Sequence, residues 1–335
     1  RVQSVAVRLV VEREREIELF VPTAQYKVSA DFIGKDVQGA KVTLHTELNH
    51  RFATEDEARA FLMSCTDSTF TIRSIQKRPV RRTPAPPFTT SLLQQEAARK
   101  LHFPVSKTMR LAQSLYEAGH ITYMRTDSVN LSSLAIGTAK KQIIETYGAE
   151  YHKARNYHTT SKGAQEAHEA IRPTYINHIT AGNNEDERKL YDLIRKRALA
   201  SQMADAELEQ TRIEISSPAS PYLFVASGEV VLFDGFMRAY VQSTDEDDEQ
   251  ESAGLMPAMD EGASLALDKC VSRESFTAAP QRYNEATLVK KMEELEIGRP
   301  STYATIIETI QARDYVRRGN VPGKKRSYTT LTLKN

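Results

Sequence analysis

Lys77-Arg78-Pro79-Val80-Arg81-Arg82-Thr83-Pro84-Ala85-Pro86-Pro87 sets four prolines and four basic residues in eleven positions. Proline fixes φ and removes a backbone donor, so neither a helix nor a strand is expected to continue through this stretch, which reads as a hinge. On its N-terminal side the pattern is β-like from Tyr26 to Leu48. Lys27-Val28-Ser29-Ala30-Asp31-Phe32 and Ala40-Lys41-Val42-Thr43-Leu44 are separated there by Gly34 and Gly39, and a short helix (55–65) and a strand (69–76) follow. On its C-terminal side, 90–205 is mostly helical. Ser91 and Gln94 form a capping box before Leu92, Leu93, Ala97 and Leu101, and Pro104 then interrupts. The next helix runs from about 106 to 118, with Met109, Ala112, Leu115 and Tyr116 on one face and Gly119 as its cap. Helices at 132–147 and 185–200 complete this insert.

β character returns at 208–240 and 264–272, ahead of helices at 285–296 and 301–313. The chain opens on a helix at 4–19, with Val5, Leu9 and Val10 on one side and Arg13, Arg15 and Glu16 exposed. A β region split by a helical insert and flanked by helices predicts a multidomain α+β protein. The sequence starts at Arg1 rather than Met and stops in mid-alternation at Leu331-Thr332-Leu333-Lys334-Asn335, as expected for a piece of a longer protein.

Composition narrows the function classes. Of 335 residues, 40% are hydrophobic and 27% charged, ordinary for a globular protein. No apolar run approaches the roughly 18 residues of a membrane helix, and mean hydropathy is −0.49. Cys65 and Cys270, 205 positions apart, exclude a disulfide framework and a Cys-rich zinc site. With no signal peptide at the start, a reducing, cytoplasmic setting is expected. The formal charge of +1 conceals an asymmetry. The low-complexity stretch 245–261 holds eight carboxylates and no Lys or Arg, so the remainder carries +9. A basic body of that kind is compatible with nucleic acid. Asp245-Glu246-Asp247 resembles a metal-binding Asp-x-Asp, but its setting is that of a solvated acidic loop.

Three windows carry chemistry. In Gly119-His120-Ile121-Thr122-Tyr123-Met124-Arg125-Thr126-Asp127-Ser128, a tyrosine and an arginine two positions apart share one face of an extended segment. A phenol of pKa about 10 needs help as a nucleophile, and a guanidinium can stabilise a phenolate or clamp a phosphate. Asp127 and Ser128 suit the N-cap of the following helix. The bland alternative is a half-buried tyrosine beside a solvated arginine. The second window, Ala164-Gln165-Glu166-Ala167-His168-Glu169-Ala170-Ile171-Arg172-Pro173-Thr174, gathers an imidazole, two carboxylates and a guanidinium. Such groups handle protons or bind phosphate, or simply form a polar helix end. His152, His158 and His168, spaced by six and ten, match no compact zinc motif. In Ile297-Gly298-Arg299-Pro300-Ser301-Thr302-Tyr303-Ala304-Thr305, Ser301 or Thr302 is expected to cap a helix whose free N–H groups, with Arg299, offer a phosphate seat.

With Arg1-Val2-Gln3-Ser4-Val5-Ala6 and Pro87-Phe88-Thr89-Thr90-Ser91 these make five collinear segments. Together they closely resemble the type IA DNA topoisomerases. Met124 and His168-Glu169-Ala170-Ile171-Arg172-Pro173-Thr174 look like the bacterial topoisomerase I branch more than topoisomerase III or reverse gyrase.

The resemblance implies that Tyr123 attacks a single-strand DNA phosphate to give a 5′-phosphotyrosine, that Arg125 stabilises the phosphate, and that His168 supports cleavage. Arg1, Gln3, Arg172, Arg299, Ser301 and Thr302 match positions in or near the single-strand path. It implies relaxation of negatively supercoiled DNA without ATP, by a monomer associated with the nucleoid. Mg²⁺ is expected in the longer enzyme, held by a Toprim domain preceding Arg1. No metal ligands are expected in this chain, which is expected to bind single-stranded DNA without relaxing supercoils. The fold implied is part of a toroidal core. Residues 1–24 and 278–335 form a helical domain gripping single-stranded DNA, 25–83 and 212–277 a β-rich arch, and 84–211 an inserted helical domain carrying the tyrosine. A non-catalytic single-strand nucleic-acid-binding module, or a scaffold without DNA affinity, are the competing classes.

Overall fold

The computed structural model describes residues 2–157, 168–241, 256–323 and 325–334; the acidic residues 245–251 fall outside them. Helix α1 (Val2–Leu19) leads into β1 (Ala24–Lys35), β2 (Lys41–Phe52), α2 (Glu55–Ser64) and β3 (Phe70–Arg82). The helical insert holds α3 (Thr90–Leu101), α4 (Val105–Glu117), α5 (Ser133–Tyr147) and α6 (Glu185–Ala200). Then come β4 (Ala206–Ser217), β5 (Ser220–Phe233), β6 (Ser264–Phe276), α7 (Glu285–Glu294), α8 (Tyr303–Ala312) and β7 (Thr330–Lys334).

The strands are all antiparallel, in the order β1-β2-β5-β4-β3-β6-β7, and β1 also pairs with β6, so the sheet closes on itself. Along β1, alternation sends Tyr26, Val28, Ala30 and Phe32 inward. There Phe32 meets Phe70 and Phe224 at ring-centroid distances of 4.9 and 5.2 Å. Cys65, ending α2, and Cys270 on β6 come into side-chain contact in the same core, although far apart in sequence. β7 joins the sheet beside β6 although it lies in the stretch read as gripping domain, and β4 begins at Ala206, inside the stretch read as helical domain.

The expected hinge at 77–87 is mostly strand. β3 continues to Arg82, with Pro79 opposite Glu209. Beyond Thr71, β3 has β4 on one side only, and an edge strand is where a proline is tolerated. The basic residues are partnered across the ladder: Lys77 with Glu209 at 3.2 Å, Arg81 with Glu207 at 2.9 Å, Arg82 with Glu229 at 2.8 Å, and Arg78 with Gln210 at 2.8 Å. The extended loop is shorter, Thr83 to Pro87.

The ribbon of β3, β4 and β5 spans two hydrophobic cores. Ile72, Ile213, Ile215 and Phe224 belong to the sheet core at one end. Ala206 and Leu208, with Val80 and Phe233, belong to the helical core at the other. A third core joins Ala6 of α1 to Leu288, Val289 and Met292 of α7 and to Tyr303, Ile306, Ile307 and Ile310 of α8. Within α1, Ala6 is the buried residue and Val7, Leu9 and Val10 pack beside it, while Val5 is exposed. Arg13, expected in solvent, instead lies 4.2 Å over the Tyr283 ring. The capping box expected at Ser91 and Gln94 is replaced. Thr89 is the N-cap of α3, accepting from the Leu92 N–H, and Ser91 is a buried first-turn residue.

Phe32→Ala should cost about 3–5 kcal/mol, because it leaves a cavity against the Phe70 and Phe224 rings. Urea denaturation followed by far-UV circular dichroism measures it.

Candidate functional site

The chain around Tyr123 runs inside the helical body without regular secondary structure, so its backbone groups need partners from other segments. Thr90, the first residue of α3 and fully buried, supplies them on one side. Its hydroxyl lies 2.7 Å from the Met124 carbonyl and 3.1 Å from that of Thr126, and accepts the Thr126 N–H at 2.8 Å. Its own N–H donates to Thr126 O at 2.9 Å. Thr122 does the same on the other side. Its hydroxyl donates to Ala170 O at 2.8 Å and accepts the Arg172 N–H at 3.0 Å, and its N–H donates to Arg172 O at 2.9 Å. Ile171 N–H reaches Phe88 O at 2.8 Å, and Ala170 N–H reaches Asn130 O at 2.8 Å. Three segments distant in sequence are thereby tied into one node.

Between the two threonine clamps the side chains alternate. Ile121, Met124 and Thr126 are buried, whereas Tyr123, at 43% exposure, and Arg125 face outward together. The spacing predicted this shared face. Tyr116 of α4, expected on the buried face, is exposed instead and meets the Tyr123 ring edge-on at 5.3 Å. His168 is half-buried. Among the described residues, no hydrogen bond or ion pair engages the Tyr123 hydroxyl, the Arg125 guanidinium or the His168 ring. Glu166 and His158 lie outside the described residues.

Asp127 and Ser128 do not cap the next helix. Ser132 caps α5, while the Thr126 hydroxyl accepts from Ser128 N–H and the Ser128 hydroxyl from Asn130 N–H, giving consecutive tight turns. Glu169 completes the start of α5. Its carboxylate accepts the Ser132 N–H at 2.6 Å and an Arg172 N–H at 2.6 Å. Burial opposes its charge, but the Ser132 and Arg172 contacts outweigh that and hold the Glu169 carboxyl below the usual range. Arg172, with 15% of its side chain exposed, is thus largely committed to Glu169 and the Pro173 carbonyl, and its Nε is buried without a partner.

At the third window the left-handed Gly298 (φ +87°) turns the chain into α8. Neither Ser301 nor Thr302 caps that helix. The Thr302 hydroxyl turns back to accept the Arg299 N–H at 2.9 Å, and the Arg299 side chain donates to Gly298 O. Tyr303 is pushed up to about 12 by burial first, with the Glu293 and Asp127 charges adding and Arg299 opposing. The charge of Asp127, four residues after Tyr123, is thus felt at Tyr303, the first residue of α8. Gln3 accepts from Arg313 at 3.0 Å, and Arg1 lies outside the described residues. Among the described residues no three His, Cys, Asp or Glu side chains come together as a metal site, and no helix is long and apolar enough to cross a membrane.

The family model described as DNA topoisomerase matches residues 1–331. The chain belongs to the type IA DNA topoisomerases, on the bacterial topoisomerase I branch. It is 45% identical to DNA topoisomerase 1 of Zymomonas mobilis over 329 residues, which is 94% of this chain and 27% of that protein. Against DNA topoisomerase 1 of Pseudomonas aeruginosa it is 43% identical, covering 96% of this chain and 37% of that protein. The structure of full-length topoisomerase I from Thermotoga maritima matches with a TM-score of 0.77 and 34% identity, over 95% of this chain and 52% of that one. The chain thus spans less than half the length of these curated relatives.

Neither Thr90 nor Thr122 stands out in the sequence, although both lie within quoted segments. What a hydroxyl bonds depends on which segments meet. Thr90→Val should speed amide exchange at Thr126 and destabilise by about 1–3 kcal/mol, since it strands buried backbone groups. Because the Glu169 carboxyl is held low, it stabilises this corner above the ordinary carboxylate pKa, and the contribution is lost as pH falls through the lowered value. Thermal melts from about pH 6 to pH 3 should show a shallower acid decline for Glu169→Gln than for the wild type.

Proposed function

We propose that this chain is the strand-cleaving part of a type IA topoisomerase. The observation that carries this reading is Tyr123 and Arg125 standing exposed and side by side on a backbone clamped at both ends. The Tyr123 oxygen bonds to the phosphorus of a single-strand phosphodiester. The bond to the 3′ oxygen breaks, leaving a 5′-phosphotyrosine and a free 3′-hydroxyl that takes up the proton. Arg125 stabilises the charge gathering on the phosphate oxygens, and His168 supplies a hydrogen bond or moves the proton. Resealing is the reverse attack by the 3′-hydroxyl. One ester replaces another, so relaxation of negative supercoils draws on no nucleotide.

Arg1, Gln3, Arg172, Arg299, Ser301 and Thr302 flank the path of the single strand. Three bodies divide the labour: the α1–α7–α8 body grips the strand, the sheet forms the arch, and the helical insert carries Tyr123 and swings as the gate within a toroidal core. Mg²⁺ belongs to the longer enzyme. The described residues offer no cluster that fits it. The protein acts as a monomer in the bacterial cytoplasm, on the nucleoid.

In the longer enzyme, Tyr123→Phe should abolish the covalent adduct with a 3′-labelled single strand while leaving gel-shift affinity within about twofold, because only the nucleophile is lost. Arg125→Ala should slow cleavage roughly 10²–10³-fold. The 335-residue chain alone should bind single-stranded DNA in a salt-dependent way. Mg²⁺-dependent relaxation by that chain would overturn its assignment as an incomplete catalyst.

A further inference from the structure

The helical insert enters from β3 and leaves into β4, so its covalent attachments run through the ribbon alone. It meets the α1–α7–α8 body by non-covalent contact, α3 against α7 and α4 against α8. Two carboxylates at opposite ends of α7 cross this boundary. The first, Glu285, accepts the Val105 N–H at 2.8 Å. Val105 begins α4, whose N-cap, Pro104, makes no side-chain capping bond. Helix α4 is therefore capped from the neighbouring body, with a carboxylate at its positive end. The second, Glu293, accepts the hydroxyl of Ser91 in α3 at 2.6 Å, and Ser91 in turn accepts from Gln95. Between them the Val105 side chain, on α4, is fully buried in the core of the other body.

We infer that Glu285 and Glu293 are positioning residues, a two-point latch that holds the Tyr123-bearing body against the α1–α7–α8 body until the two part. The helices held lead to the reactive segment at both ends. α3 begins at Thr90, the clamp on either side of Arg125, and the last turn of α4 carries Tyr116, against the Tyr123 ring. The latch is built to release. Glu285 already has the Gln311 amide at 3.2 Å and Arg318 at 3.8 Å, so opening does not strand its charge, and Glu293 is exposed at the rim. The ribbon, anchored in two cores, is the pivot. The identification of this separation as strand-gate opening rests on the function proposed above.

Spin labels at Glu117→Cys on α4 and Glu308→Cys on α8, both exposed, report the separation of the two bodies in this chain without DNA. Glu285→Ala should raise the open population about tenfold, the effect of one lost charge-assisted hydrogen bond. Glu285→Gln, which keeps an acceptor oxygen, should restore the closed distance, and Ser91→Ala should shift it in the same direction as Glu285→Ala. A merely structural role would lower the melting temperature without moving the distance. Unchanged distances in both Glu285→Ala and Ser91→Ala would overturn the latch. If the distances move but the corresponding full-length variants relax DNA at the wild-type rate, the latch stands and its assignment to the strand gate fails.

Discussion

A buried chain without a ladder must have every backbone donor and acceptor met by something else, and that requirement organises the region around Tyr123. The hydroxyls of Thr90 and Thr122 meet it. Each serves carbonyls and an N–H at once, and each belongs to a different partnership. Thr90 ties the reactive segment to the start of α3, and Thr122 ties it to the strand-like run at 170–172. A paired β-strand would give similar rigidity, but it would spend both backbone edges on neighbouring strands. Clamping by side chains instead leaves Tyr123 and Arg125 projecting from a fixed backbone, and preorganisation of that kind is what electrostatic stabilisation of a phosphate requires.

The wider architecture places this clamped segment on a body joined to the sheet through the β3–β4–β5 ribbon. The β3–β4–β5 ribbon enters the sheet core at one end and the helical core at the other, with cross-strand ion pairs between. Exposed pairs of this kind contribute little each, commonly under about 1 kcal/mol. The ribbon's endurance comes from its two buried ends. The boundary between the helical insert and the α1–α7–α8 body is of a different kind. It is made of helix ends, carboxylates and the inserted Val105, and of these Glu285 also has Gln311 and Arg318 as neighbours within its own body.

Much of the element order was legible in the sequence. Strict alternation in Tyr26–Phe32 and the i, i+3, i+4 spacing in the insert carry their own geometry, because they reflect which face of a strand or helix must be dry. The reading faltered at local chemistry with more than one solution. The stretch 77–87 reads as a hinge, yet its first six residues form a strand, because an edge position forgives the one missing donor, at Pro79, and nearby glutamates accept its charges. Ser91, Asp127 and Thr302 all looked like helix caps. The Ser91 hydroxyl found a tertiary partner in Glu293 and the Thr302 hydroxyl turned back to Arg299, while Thr89 and Ser132 took over the caps expected of Ser91 and Asp127.

By itself the sequence determined the class of the molecule. It showed a β region interrupted by a helical insert, a basic body masked by one acidic run, and a tyrosine and arginine two residues apart in a family-specific frame. These properties depend on residue identity and spacing along the chain, which folding does not alter. The tertiary structure alone decided the partnerships: that Arg172 is held by Glu169, that the Tyr123 segment hangs from two threonines, that Cys65 meets Cys270, and that α4 is capped by a residue 180 positions away. A hydrogen bond acts over about 3 Å. Which groups come within that reach is set by how the three cores pack, not by any one stretch of chain.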